Sequence, residues 1–222
     1  MSDLDIFAAA YRELRGRVSE LAREADPEAL ETMAPAAPEW RVRDLLAHLS
    51  GVCADITAGN LEGVTTDEWT AAQVDARRSW TVDRLLAEWS EQGAAVDALI
   101  PSFPPPLATQ LLTDGATHEH DVRGGLDAPG ARDAAAVALA FPGLVEYGLG
   151  AGLHVECDEG TYISGGENDA DATVRAPRFE LFRAMTGRRS IEQIRTFDWT
   201  PEPRPEALVI SLFTARDTPL VE

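Results

Sequence analysis

Apolar residues recur at spacings of three and four along the N-terminal two-thirds of the chain, the spacing that lines one face of a helix. Ile6, Ala9, Tyr11, Leu14, Val18 and Leu21 predict a first helix over residues 4 to about 24. Beyond the prolines at 27, 35 and 38, Val42, Leu45, Leu46, Leu49, Val52, Cys53 and Ile56 predict a second, stopped by Gly59-Asn60. Thr66-Asp67-Glu68 reads as a helix start with acidic residues in the first turn, and this third helix runs to about Ser79. Thr81 opens a fourth, carrying Leu85, Leu86, Trp89, Val96 and Leu99, until the proline run from Pro101 to Pro106 breaks it. A fifth is expected from Leu107 to Gly124, and an Ala-rich one from Ala131 to Leu153.

The pattern changes after about residue 155. Thr161 to Ser164 reads as a strand ending in a Gly165-Gly166 turn, and Ala172 to Arg175 as another. Pro177 to Gly187 reads as a short helix, and the apolar run Ala207 to Phe213 as a terminal strand. The expectation is a mostly α protein: a helical domain over residues 1–155, then a small α+β domain over 156–222. No internal repeat or heptad run is present.

Composition narrows the function classes. The net charge of −19 over 222 residues argues against nucleic acid or an anionic membrane as partner. All 19 basic residues are arginine, so no lysine is available for Schiff-base or general-base chemistry. No apolar stretch is long enough to span a membrane, and the acidic start Met1-Ser2-Asp3 does not resemble a signal peptide, so a cytoplasmic protein is expected. The two cysteines, Cys53 and Cys157, have no metal-type spacing, and Cys53 falls on an apolar face, as a small core residue would.

The candidate chemistry sits where helices should be apolar. On the fifth helix, Leu107, Leu111, Asp114, His118, Val122 and Leu126 follow one stripe with a carboxylate and an imidazole in its middle. Four residues apart, Asp114 and His118 share a helix face. A buried carboxylate needs a partner; a divalent cation would supply one, with His48 of the second helix as the third ligand. The same spacing also suits an ordinary hydrogen-bonded Asp–His pair, so both readings stand at this point. His120, Glu119 and Asp121 lie off the stripe, with His120 expected to be exposed and Asp121 to accept a hydrogen bond from a neighbour. His154 is expected to be structural, Trp69, Trp80 and Trp89 to be core or pocket walls, and Arg188 and Arg189 to complement a helix C-terminus.

Several segments together resemble a known family. Trp40-Arg-Val-Arg-Asp-Leu-Leu-Ala-His48-Leu-Ser-Gly51 is similar to the second-helix motif of DinB-like metal proteins, most of all the mycothiol-dependent maleylpyruvate isomerase branch. Glu68-Trp69 through Arg77-Arg78, Leu85 to Trp89, Thr117-His118-Glu-His-Asp121-Val-Arg and, near the C-terminus, Leu181 to Arg189 resemble that branch too. The resemblance implies a DinB-like four-helix bundle holding a metal through His48, Asp114 and His118; two imidazoles and a carboxylate suit zinc, nickel, manganese or iron(II), with zinc the first expectation. The family most often has Glu at the carboxylate position. Asp is one C–C bond, roughly 1.5 Å, shorter, so here it either sits closer or ligates through water. The resemblance also implies a low-molecular-weight thiol, mycothiol, as co-substrate in isomerisation or S-transfer on a small electrophile, with Arg77 or Arg78 as a contact for the thiol's carboxylate. A hydrolase with metal-activated water and a non-catalytic small-molecule-binding protein are the alternatives.

Overall fold

The computed structural model describes residues 4–150, 152–165 and 170–222, and the chain falls into two units. Residues up to Pro104 with Asp114–Gly130 form the first, and Pro105–Thr113 with Ala131–Glu222 the second.

The first unit is a helical bundle. Helix α1 spans Asp5–Glu24, followed by a single turn, α2 (Pro27–Leu30), and a small antiparallel pair, β1 (Met33–Ala34) and β2 (Ala37–Arg41). Then come α3 (Val42–Ala58), α4 (Asp67–Arg77), α5 (Val82–Leu99) and α6 (Pro105–Gly125), the last continuing out of the second unit. The helix ends follow the sequence signals. Thr66 and Thr81 accept the Trp69 and Arg84 N–H groups at the starts of α4 and α5, and Gly59 ends α3 in the left-handed conformation, φ +71°. Leu14, Val18, Leu45, Leu49, Leu85, Trp89, Val96, Ala116 and Val122 are fully buried between α1, α3, α5 and α6. An ion cluster joins α1 to α5, with Asp97 accepting from both Arg12 and Arg15. Another joins α1 to α6, with Glu119 accepting from Arg17 and Arg123.

The second unit is a small α+β structure. Helix α7 (Ala135–Gly143) passes into a π-helical turn, Leu144–Gly148. A four-stranded sheet follows in the order β4-β3-β5-β6, from β3 (Leu153–Cys157), β4 (Gly160–Ile163), β5 (Ala172–Arg175) and β6 (Asp198–Thr200). The β3–β5 pair is parallel and the outer pairs antiparallel. Helices α8 (Arg178–Met185) and α9 (Ile191–Arg195) lie between β5 and β6 in sequence.

Several local expectations change. The Ala-rich segment does not stay helical to Leu153: Pro142, Gly143 and Gly148 interrupt it, and Leu153 already belongs to β3. The run from Ala207 to Phe213 is not a strand. It opens with a 3-10 turn, Pro205–Leu208, and the Ile210 N–H bonds the Met185 carbonyl at the end of α8. Leu208 and Ile210 are buried, so their alternation reports packing and not ladder pairing. The Gly166 half of the expected turn lies outside the described residues. Arg188 does meet a helix-end carbonyl, that of Thr186, but Arg189 is 1 % exposed and is held by Glu180 and Glu222, not by the end of α8.

Candidate metal centre

Two helices bring three potential ligands together. The start of α3 is fixed by Asp44, whose carboxylate accepts the Arg41 N–H at 3.0 Å. One turn further on, His48 points inward and is 3 % exposed. Across from it, α6 presents Asp114 and His118 on one face. Asp114 Oδ1 lies 3.3 Å from His48 Nε2 and 3.6 Å from His118 Nε2. The three ligand atoms all lie within 4.8 Å of one another, and this is the cluster of its kind among the described residues. The shorter aspartate therefore lies within 3.6 Å of both imidazoles.

Each imidazole is held by its other nitrogen. His118 Nδ1 faces Asp121 Oδ2 at 3.0 Å, and His48 Nδ1 faces Gln73 Oε1 at 2.8 Å. A carboxylate only accepts, so the Asp121 contact places the His118 proton on Nδ1 and leaves the Nε2 lone pair facing Asp114. The Trp40 ring stacks on His118, centroids 5.7 Å apart, and meets His48 edge-on at 5.2 Å. Burial pushes the His118 imidazole below its ordinary range, against the opposing pull of Asp121 and Asp114. That direction favours the uncharged imidazole that metal ligation requires.

The donor set fits a divalent transition metal. A tetrahedral ion with bonds of about 2.0–2.2 Å has neighbouring ligand atoms roughly 3.3 Å apart, close to the His48–Asp114 separation. Two imidazoles and one carboxylate suit zinc, and each imidazole has the outer hydrogen-bond partner that metal-bound histidines almost always have.

The other sequence candidates lie elsewhere. Arg77 is buried in a bidentate pair with Glu88, at 2.5 and 3.1 Å, and Ser50 donates to the same carboxylate. Arg78 is exposed and paired with Asp75. His120 is buried, not exposed, because α6 is covered on nearly all sides; the stripe from Leu107 to Leu126 is thus no more buried than its neighbours Glu119, His120 and Asp121. Cys53 is a core residue, bonded with the Tyr11 hydroxyl at 3.1 Å. His154 lies half-buried on β3, in the second unit. Trp89 is core, and Trp69 and Trp80 are half-buried.

Trp40, Gln73 and Asp121 were not singled out as site residues by sequence reasoning. Asp121 had a signal, since it lies three residues after His118 and so within a turn of it. For Gln73 there was none, because its partner comes from a different helix.

The family model of the mycothiol maleylpyruvate isomerase N-terminal domain matches residues 11–126, just over half the chain. A crystal structure of a histidine-to-alanine mutant of mycothiol-dependent maleylpyruvate isomerase is similar in fold, with a TM-score of 0.56 and 13 % sequence identity. The match covers 90 % of this chain and 96 % of that one. No curated protein matches in sequence. The helical bundle with α4 on its flank, the inward His48 and the matched stretch that runs through His118 agree: the chain belongs to the mycothiol maleylpyruvate isomerase family.

Proposed function

We propose that the protein is a metal-dependent isomerase that uses mycothiol, or a thiol like it, to act on a small electrophilic substrate such as maleylpyruvate. His48, Asp114 and His118 would hold the metal, with zinc the best match to two imidazoles and a carboxylate. The convergence of three electron-rich ligand atoms within 4.8 Å carries this reading. Lone pairs on His118 Nε2 and a carboxylate oxygen facing each other call for a cation between them.

A divalent metal there would lower a thiol's pKa from its usual value of about 8.5, so that the thiolate, the nucleophilic form, predominates at neutral pH. The chain's own groups do the rest. His48 is the most buried of the three, while the Asp114 and His118 side chains are 29 and 12 % exposed and are the more accessible to a co-substrate. Trp40 packs against both imidazoles and limits their rotation. Neither cysteine is an activated thiol: burial pushes the Cys53 thiol up to about 11 and raises the Cys157 thiol as well. In this reading the thiol is an external co-substrate, as in the family. Arg77, the sequence candidate for its carboxylate, would have to leave Glu88 to make that contact. No helix among the described residues is long and apolar enough to cross a membrane.

The test is metal content and turnover together. Purified protein reloaded with zinc should hold close to one equivalent, and His118→Ala should lose it. Maleylpyruvate should then be isomerised only when mycothiol is added. Turnover without thiol would replace the reading with a hydrolase, and ligand binding with no turnover and no metal would leave a binding protein.

A further inference from the structure

His48 and Asp55 lie seven residues apart on α3, two turns along the same face. Gln73 of α4 bridges them. Its Nε2 donates to Asp55 Oδ2 at 2.7 Å, and its Oε1 faces His48 Nδ1 at 2.8 Å. The other Asp55 oxygen accepts from Asn60 Nδ2 at 2.9 Å. Gln73 is 3 % exposed, so water does not compete for either end of its amide.

From this chain we infer that Asp55, acting through Gln73, sets the tautomer of His48. A side-chain amide has a donating and an accepting end, and on its own could face His48 either way. A carboxylate can only accept, so Asp55 takes the NH2 end of Gln73. The carbonyl end is then turned to His48, whose Nδ1 must carry a proton to donate to it. Nε2 is then the nitrogen left for a metal, and it faces Asp114 Oδ1 3.3 Å away. Reversing the amide would set two acceptors against each other at 2.7 Å, with the Gln73 end buried. His118 is oriented directly by a carboxylate, Asp121. His48 is oriented by one at a distance, with the amide transmitting the polarity. Asp55 and Gln73 are positioning residues: of the ligand cluster, Gln73 touches only the outer nitrogen of His48, and Asp55 reaches it only through Gln73. The consequence for metal binding rests on the function proposed above, whereas the tautomer assignment does not.

The polarity can be rewired without changing shape. In Asp55→Asn/Gln73→Glu, the new glutamate accepts from His48, and the new asparagine donates to it while still accepting from Asn60. Asp55→Asn alone leaves an amide beside an amide, and nothing fixes the direction. The measurement is the 15N–1H correlation spectrum of the histidine rings in metal-free protein, with the His48 signals identified by their loss in His48→Ala, alongside zinc titration of each variant. Wild type and the double variant should show His48 protonated on Nδ1, and Asp55→Asn a mixture. Zinc affinity should fall about tenfold in Asp55→Asn, the low end of what losing an outer partner costs a metal site, and return in the double variant. A wild-type His48 protonated on Nε2, or an Asp55→Asn variant with the wild-type spectrum, overturns the inference. If the tautomers behave as described and no variant binds zinc, the relay stands and the metal-dependent function fails.

Discussion

Gly51 and Gln73 are in van der Waals contact across α3 and α4, and a methyl group at residue 51 would come within 2.6 Å of Gln73 Cβ. Gly51 lies one turn beyond His48, so the missing side chain is what lets α4 come close enough for Gln73 to reach the imidazole. Gly51→Ala should push the helices apart, lower stability by roughly 1–3 kcal/mol and weaken zinc binding as well. Gly16, on α1, is the control: nothing lies within 4 Å of a Cβ there. Gly16→Ala should raise stability by about 0.5–1 kcal/mol and leave zinc binding alone. Urea midpoints for the two variants check this, and equal shifts of the same sign would sink it.

Asp114 already brings Oδ1 to 3.3 and 3.6 Å from the two imidazole nitrogens. Glutamate at this position, the more common residue in the family by resemblance, would carry the carboxylate past that point unless α6 backed away. Asp114→Glu should therefore weaken zinc binding by about tenfold, or roughly 1.4 kcal/mol. Asp114→Asn, which removes the charge and keeps the length, should weaken it further. Competition with a chromophoric chelator measures both, and an unchanged affinity in Asp114→Glu would show that the helix spacing does not select the shorter side chain.

The helices of the bundle were legible because their signals are local. Thr66, Thr81 and Gly59 sit at their ends, and the spacing of Val42, Leu45, Leu49 and Val52 marks a buried face whatever it packs against. The His48, Asp114 and His118 candidates were legible too, as polar residues in apolar helix positions. What escaped depends on partners distant in sequence. Gln73 looks like any surface glutamine until α3 is placed beside it. His120 was misjudged because α6 is enclosed on nearly every side, and periodicity can only mark one face. In the second unit the buried pair Leu208 and Ile210 mimicked a strand, because alternation records burial and says nothing about hydrogen-bond partners.

Cys53 ties stability to alkaline pH. Burial, its largest cause, raises the thiol from its ordinary value of 9.0 to about 11. The unfolded chain loses this proton first, so the thiol's contribution is complete below about pH 9 and is lost as the pH rises toward 11. Raising the thiol this far corresponds to roughly 2–3 kcal/mol. Cys53→Ala should flatten part of the stability loss between pH 9 and 11, leaving the part due to Tyr11, whose hydroxyl burial also raises well above its ordinary value. Urea unfolding across that pH range tests the claim, and identical pH profiles for both proteins would refute it. Thiol reagents at pH 8 should also modify Cys157 well before Cys53.

The Arg15–Asp97 pair distinguishes an interaction that stabilises from one that is merely costly to break. Asp97 accepts two hydrogen bonds from Arg15, at 2.7 and 3.1 Å, and one from Arg12 at 3.0 Å. The Asp97 and Arg15 side chains are only 4 and 9 % exposed. Removing the carboxylate leaves a buried guanidinium without its counter-charge, so Asp97→Ala should cost roughly 3–5 kcal/mol. Most of that is the penalty of the stranded cation and not the worth of the pair. If so, replacing both charges by apolar groups of similar size, as in Arg15→Met/Asp97→Leu, should recover most of the loss. Arg12, whose side chain is 62 % exposed, can turn to solvent and should matter little by itself. Denaturation of the single and double variants gives the answer: recovery in the double variant locates the cost in desolvation, whereas a double variant as unstable as Asp97→Ala would mean that the ion pair itself holds α1 to α5.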